Sequence, residues 1–321
     1  MYARNVCFVS MPSLNASIEL TAFVLGGFET TQRKFVVGVT ILITFIVAVL
    51  ANMVNIVVIV YDKKLHKPMF LLICNLAVVD ILCITSISPT TIGTLLAGVN
   101  TISYAPCIIA MFTHHVGGTM EMFALAVMAF DRLIAVSCPF QYNSYLTNVR
   151  IILLVFMLWI AACCFVAVMP ATVLPLSHCH TKLIYSFCDY AAVLRTTCAD
   201  LGYYFNVITV ISFFLLFFTF SLIALSYFVI VYFVKLSSSE EKRKMGSTCL
   251  SHLIVVVCFY LPIFIRIVLS RMGVPLTVEQ LHGLSVWSYV GPPSVNPFVY
   301  SLRTKEIRQR VWNIFKRVDI S

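Results

Sequence analysis

Seven apolar runs, each of about twenty residues or more, punctuate this chain at 36–60, 69–96, 104–130, 151–176, 203–234, 250–270 and 280–301. At about 1.5 Å of rise per residue, each run is long enough as a helix to cross a hydrocarbon core about 30 Å thick. The last is the least hydrophobic of the seven. Composition points the same way: 60% of the residues are hydrophobic and 11% charged, against about a quarter charged in a soluble domain. The expected fold is an all-α membrane protein, a seven-transmembrane helix bundle in one domain. Residues 1–34 would form an extracellular tail, 35–302 the bundle, and 303–321 a cytoplasmic amphipathic helix and tail. In that last segment Ile307, Val311, Ile314, Phe315 and Val318 recur at helical spacing between basic residues, the pattern of a helix lying on a leaflet.

Charge sets the orientation. Fourteen of the 22 Lys and Arg residues fall on one side of the seven runs, among them Lys63, Lys64, Lys67, Lys242, Arg243, Lys244, Arg308 and Arg310. Six fall on the other: Arg4, Arg33, Lys34, Lys182, Arg195 and Arg271. The richer side is expected to be cytoplasmic, which leaves the N-terminus outside. The net charge of +9 then answers to topology and anionic membrane lipid and not to nucleic acid. Nothing in the first thirty residues reads as a cleaved signal peptide, so run one is expected to serve as the insertion signal. Asn15 opens an Asn-Ala-Ser sequon in the outer tail, an acceptor site for glycosylation.

Most of the 12 cysteines lie in apolar runs as small hydrophobes. Cys107, Cys179, Cys188 and Cys198 fall on the outer, oxidising side, where pairing is expected. Count alone allows three pairings of four cysteines.

Ionisable groups inside the runs are costly in lipid and point to function. The stretch "MAFDRLIAVSCPF" (128–140) places Asp131 and Arg132 at the inner end of run three, where neighbour pairing and water lower the cost. Asp80, Glu121 and His252 lie deeper. Glu121 precedes Arg132 by eleven residues, so both share one helix face.

The chain resembles the rhodopsin-like G-protein-coupled receptors and, within them, the odorant receptors. The resemblance spans nearly the whole sequence. It rests on Asn52 in run one, "LHKPMFLLICNLAVVD" (65–80), "MAFDRLIAVSCPF", Trp159, "RKMGSTCLSHL" (243–253) and "PPSVNPFVYSLRTKEIR" (292–308). Leu133 stands where the family has a tyrosine, and Ala51 where it has a glycine.

The resemblance implies two disulfides, Cys107–Cys188 and Cys179–Cys198. It implies that Arg132 alternates between Asp131 and a G protein, with Asn296, Pro297 and Tyr300 as the helix-seven switch. It implies a polar core of Asn52, Asp80, Glu121 and His252, in which Glu121 meets His252 as a conformational lock, an ion site or a plain buried pair. The ligand pocket would lie in the outer half of the bundle, between helices three, five and six, near His114, His115, Gly118 and Tyr260. In the fish-like class of odorant receptors an arginine at the place of Arg271 is associated with anchoring acidic odorants; here it is that or an outer-surface arginine. Arg266, about 7.5 Å deeper, is a second anion anchor, a partner of another helix, or a side chain that snorkels outward.

The function so implied is that of an odorant receptor in the plasma membrane of an olfactory sensory neuron. It would bind a small odorant and activate a stimulatory olfactory G protein to raise cyclic AMP, with a tuning to acidic odorants. No enzyme activity, cofactor or metal is implied. The alternative is a receptor of the same fold for a metabolite, lipid or hormone. A retinal protein would need a Schiff-base lysine, and residues 278–302 hold none. A transporter is disfavoured by the lack of an internal repeat, and no HExxH pairing supports an intramembrane enzyme.

Overall fold

The computed structural model describes residues 21–28, 33–236, 240–271, 278–303, 306–310 and 312, with backbone alone at 236, 240–248, 270–271, 278–279, 281–282 and 302–303. Seven long helices dominate it: α1 (Lys34–Tyr61), α2 (Pro68–Leu96), α3 (Tyr104–Ser137), α4 (Asn148–Val173), α5 (Leu201–Leu236), α6 (Glu240–Arg271) and α7 (Val278–Arg303). Each coincides with one apolar run. Several ends lie beyond the run: α3 continues to Ser137 past the Asp-Arg pair, and α6 begins in the charged segment at Glu240.

Local signals account for the boundaries. Pro68 occupies the first turn of α2, where its missing N–H is no loss. Thr147 caps α4, its hydroxyl accepting from the Arg150 N–H at 3.3 Å. Between α3 and α4 the chain turns sharply through Pro139–Gln141 and the single helical turn Tyr142–Tyr145.

Among the described residues, α1, α2, α4, α5 and α6 are long and apolar enough to span a membrane unaided, and α3 joins them when taken with the bent segment after it. The protein is a multi-pass membrane protein. Helix α7 does not reach that mark among the described residues, in line with the weaker hydropathy of its run, and holds Pro292, Pro293 and Pro297.

Helices α2 and α3 form the centre. α2 packs on α1, α3, α4 and α7, and α3 on α2, α4, α5 and α6. The apolar stretch of α2 is 56% buried and that of α4 only 17%, which marks α4 as a peripheral helix. Its outward face, with Phe156 and Leu153, is exposed, as are Phe217 and Phe228 of α5; these surfaces suit lipid and not water. Near the Asp-Arg pair the core is built from Leu72, Leu76, Leu125, Ala129 and Tyr300. At the other end it is built from Phe23, Met111, Val166, Val173 and Leu194.

That other end, which carries the disulfides, is closed by backbone pairing. Strand β1 (Ala22–Val24) pairs antiparallel with β2 (Thr101–Ser103). On its far side the Val24 N–H donates to the Thr181 carbonyl, and the Leu183 N–H donates to the Val24 carbonyl, both at 2.8 Å. After α7, residues 306–310 are helical, Ile307 is buried and Arg310 Nε meets Asp62 Oδ2 at 2.6 Å. The remaining apolar positions expected on that helix, Val311, Ile314, Phe315 and Val318, lie outside the described residues, as does Asn15.

Candidate functional site

The disulfide Cys107–Cys188 ties the start of α3 to the long loop between α4 and α5, and Cys179–Cys198 closes that loop on itself. The first bond fixes Asp189, the next residue along. Asp189 caps the short helix Tyr190–Leu194, its Oδ2 accepting from the Ala191 N–H at 3.1 Å. Its Oδ1 lies 3.6 Å from His115 Nε2.

His114 and His115 sit two turns along α3 from Cys107, with ring centroids 4.8 Å apart. His114 packs edge-to-face on Tyr289 of α7 at 4.3 Å and on Phe187 of the loop at 6.4 Å. Arg266 of α6 donates from Nη1 to the Tyr289 hydroxyl at 3.2 Å and lies over its ring at 5.8 Å. Of the three readings open for Arg266, the structure shows pairing with another helix. The cluster therefore gathers α3, α6, α7 and the loop at one place. Gly118 lies three residues past His115, and a Cβ there would meet no atom of the described residues within 4 Å. At Gly117 a Cβ would overlap Cys83 Sγ, so α2 and α3 approach at a residue without a side chain.

Tyr260 lies elsewhere. It is fully buried, its hydroxyl 2.7 Å from Thr219 Oγ1 of α5, and packed against Phe220, Phe259 and Phe264. It sits about 9 Å deeper along α6 than Arg266. Arg271 closes α6, but its side chain lies outside the described residues.

The middle of the bundle holds a buried polar group. Asn296 Nδ2 lies 3.0 Å from Asp80 Oδ1 and 3.2 Å from Glu121 Oε1, so one amide of α7 bridges carboxyls of α2 and α3. Asn52 of α1 donates to the Pro293 carbonyl, and Asn55 to the Pro297 carbonyl. The expected meeting of Glu121 with His252 is absent from this structure. His252 Nδ1 lies 2.8 Å from Tyr227 Oη of α5, which also donates to the Cys249 carbonyl at 2.9 Å. The tyrosine occupies the place assigned to the acid, and Asn296 takes the acid instead.

At the far end Arg132 Nη2 and Asp131 Oδ2 are 3.0 Å apart. Tyr142, in the turn after α3, donates from its hydroxyl to Asp131 Oδ1 at 2.6 Å. Leu133 packs with Val136, Ile230 and Cys249. Tyr300 is buried, its hydroxyl 3.8 Å from Met128 Sδ. Trp159 Nε1 donates to Asn75 Oδ1 at 3.0 Å, which joins α4 to α2.

Sequence reasoning missed Tyr142, Asp189, Tyr289, Tyr227 and Asn55. Asn55 carried the clearest local signal, standing three residues past Asn52 on the same helix face. Asp189 adjoins a cysteine assigned to a bridge, a weaker clue. The three tyrosines reach their partners only through tertiary packing.

Comparison with known proteins adds to this geometry. The family model described as "Olfactory receptor" matches residues 41–317. The chain is similar to Olfactory receptor 13G1 of Homo sapiens, with 31% identity over 306 residues that cover 94% of this chain and 98% of that protein. It is similar to Olfactory receptor 7A42 of Mus musculus, with 33% identity over 312 residues covering 93% and 97% of the two chains. To Olfactory receptor 1500 of Rattus norvegicus it is 30% identical over 314 residues, covering 97% and 100%.

Proposed function

Because this chain belongs to the olfactory receptor family, whose members are G-protein-coupled receptors and not enzymes, we propose that it binds a small odorant in the disulfide-end half of the bundle and activates a stimulatory olfactory G protein, raising cyclic AMP. The N-terminus and residues 1–34 then lie outside the cell and residues 303–321 inside, in the plasma membrane of an olfactory sensory neuron. Residues 35–302 act as one domain.

The observation that carries this reading is the arrangement of Asp131 between Arg132 and Tyr142. It holds the arginine in a pair at the face where a G protein would dock. An odorant acts by preferring the arrangement in which that pair opens, and the bond from Asn296 to Asp80 and Glu121 ties the proline-containing α7 to the same change. The cluster of His114, His115, Arg266 and Tyr289, with Gly118 beside it, forms the odorant-facing wall.

A tuning to acidic odorants rests on Arg266, whose guanidinium can hold a carboxylate in two parallel bonds, with Arg271 nearer the mouth. The test expresses the receptor at a cell surface and records cyclic AMP against organic acids paired with their esters, repeated on Arg266→Ala and Arg271→Ala. Acids active, esters silent, and loss of response in either variant at unchanged surface level are expected. Activation by neutral odorants alone, with both variants silent in effect, removes the acid anchor. Activation by acids without a rise in cyclic AMP removes the assignment of the G protein.

A further inference from the structure

We propose that His114, His115 and Asp189 form a binding site for a divalent transition-metal ion, zinc or copper. One donor atom from each lies within 4.8 Å of the other two. Bonds of about 2.0–2.2 Å at tetrahedral angles place donors about 3.4 Å apart, so a contraction of about 1.4 Å at most, within reach of side-chain rotation, completes the set. Rings of successive helical residues normally diverge by about 100°. Here the two imidazoles are held together, His114 wedged by Tyr289 and Phe187.

The carboxylate is built in as firmly. Cys107–Cys188 pins the residue before Asp189 to α3 itself. The Ala191 N–H occupies Oδ2, which leaves Oδ1 directed at His115. Neither end of the site depends on a free loop.

A second observation points to a ligand. His114 is 2% exposed, and among the described residues neither of its ring nitrogens has a hydrogen-bond partner; His115 Nε2 has none there either. A buried polar atom left in this state costs about 1–3 kcal/mol, and each such atom calls for an explanation. An ion that takes one lone pair from each ring and a carboxylate oxygen supplies it. Two imidazoles and a carboxylate are the donor set of open zinc centres, which keep a fourth position for water or a ligand. Copper binds such nitrogen-rich sets more tightly than zinc.

Arg266 opposes the ion. Its guanidinium bears on both histidines through space and repels a dication. Removing its charge therefore tightens the site, while removing a donor weakens it, and a merely structural cluster shows no such opposition of sign.

The inference goes beyond the odorant reading, and its test needs no odorant. Full-length receptor in lipid nanodiscs is titrated with Zn²⁺ alone, read by calorimetry and by the shift in thermal unfolding. One saturable site is expected in the wild type. His114→Ala, His115→Ala and Asp189→Asn each weaken it by at least about tenfold, and Arg266→Gln tightens it severalfold. If His114→Ala does not fold, the opposed effects of Asp189→Asn and Arg266→Gln decide the matter. Saturable binding that survives all three donor changes, or none in the wild type, overturns the site. Zinc binding without any odorant response would leave the metal site standing and the odorant reading in fault; odorant responses without zinc binding would do the reverse.

Discussion

Asn52 Nδ2 donates to the Pro293 carbonyl oxygen at 3.1 Å, and that carbonyl is the one which Pro297, having no N–H, leaves without its helical donor. One turn on, Asn55 Nδ2 donates to the Pro297 carbonyl at 3.3 Å, and Ser301 Oγ donates to Asn55 Oδ1 at 2.6 Å. Side chains of α1 thus complete the backbone of α7. Asn52→Ala is expected to cost about 1–3 kcal/mol, the penalty of a buried unpaired carbonyl. Pro297→Ala restores the donor, so the double variant should lose less stability than the two single losses summed. Thermal unfolding of the four proteins measures this coupling; strict additivity would show that the carbonyl finds another donor.

Gly117 and Gly118 are neighbours with opposite expectations. A Cβ at Gly117 overlaps Cys83 Sγ, and one at Gly118 meets nothing among the described residues. Gly117→Ala should destabilise by about 1–3 kcal/mol through overpacking and be recovered by adding Cys83→Ala. Gly118→Ala should fold normally and shift odorant potency without changing surface level. Comparing surface staining with dose–response curves separates the two effects.

Tyr142 holds Asp131 from the turn after α3. Tyr142→Phe removes only the hydroxyl. A hydrogen bond to a charged group is worth about 1.5–3 kcal/mol, so the resting arrangement should weaken and signalling without odorant should rise about tenfold or more. Unchanged basal cyclic AMP at equal surface level would show that the tyrosine positions the turn and not the arginine.

His178 lies in the loop between α4 and α5, its Nδ1 2.8 Å from Thr196 Oγ1 and its ring edge-on to Phe23 and Tyr104. Burial pushes its pKa below the ordinary 6.5. The unfolded chain therefore takes up a proton at a higher pH than the folded one. Stability is full above about pH 6.5 and falls as pH drops toward the folded-state value, below which it levels off. Thermal unfolding at pH 7.5 and 5.5 should show a fall that shrinks in His178→Gln; an equal fall in both would assign it to other groups.

The bundle was legible because twenty-residue apolar runs have one inexpensive solution in lipid, and because Asp131, Arg132, Asn296 and Pro297 stand in motifs with fixed spacing. The partners were legible only in part. Glu121 was matched to His252 on family grounds, whereas the structure gives Glu121 to Asn296 and His252 to Tyr227. Nothing local distinguishes one buried polar neighbour from another when four helices converge. The histidine pair was visible as a pocket element. Its acid was not, because Asp189 reaches the histidines through a disulfide that spans 81 residues. Tyr289 and Arg266 meet across two helices whose relative rotation no single-helix pattern encodes.

Strand β1 also sets a timetable. Its two backbone partners, at 101–103 and 181–183, are made long after it. At about 5–20 residues per second of synthesis, Val24 waits on the order of ten to thirty seconds for the segment that flanks its second edge. During that interval the stretch around Ala22–Val24 is an open edge, and Asn15 stands only a few residues away. A strand made early is thus seated late: its second edge stays open until the loop between α4 and α5 arrives to close over it.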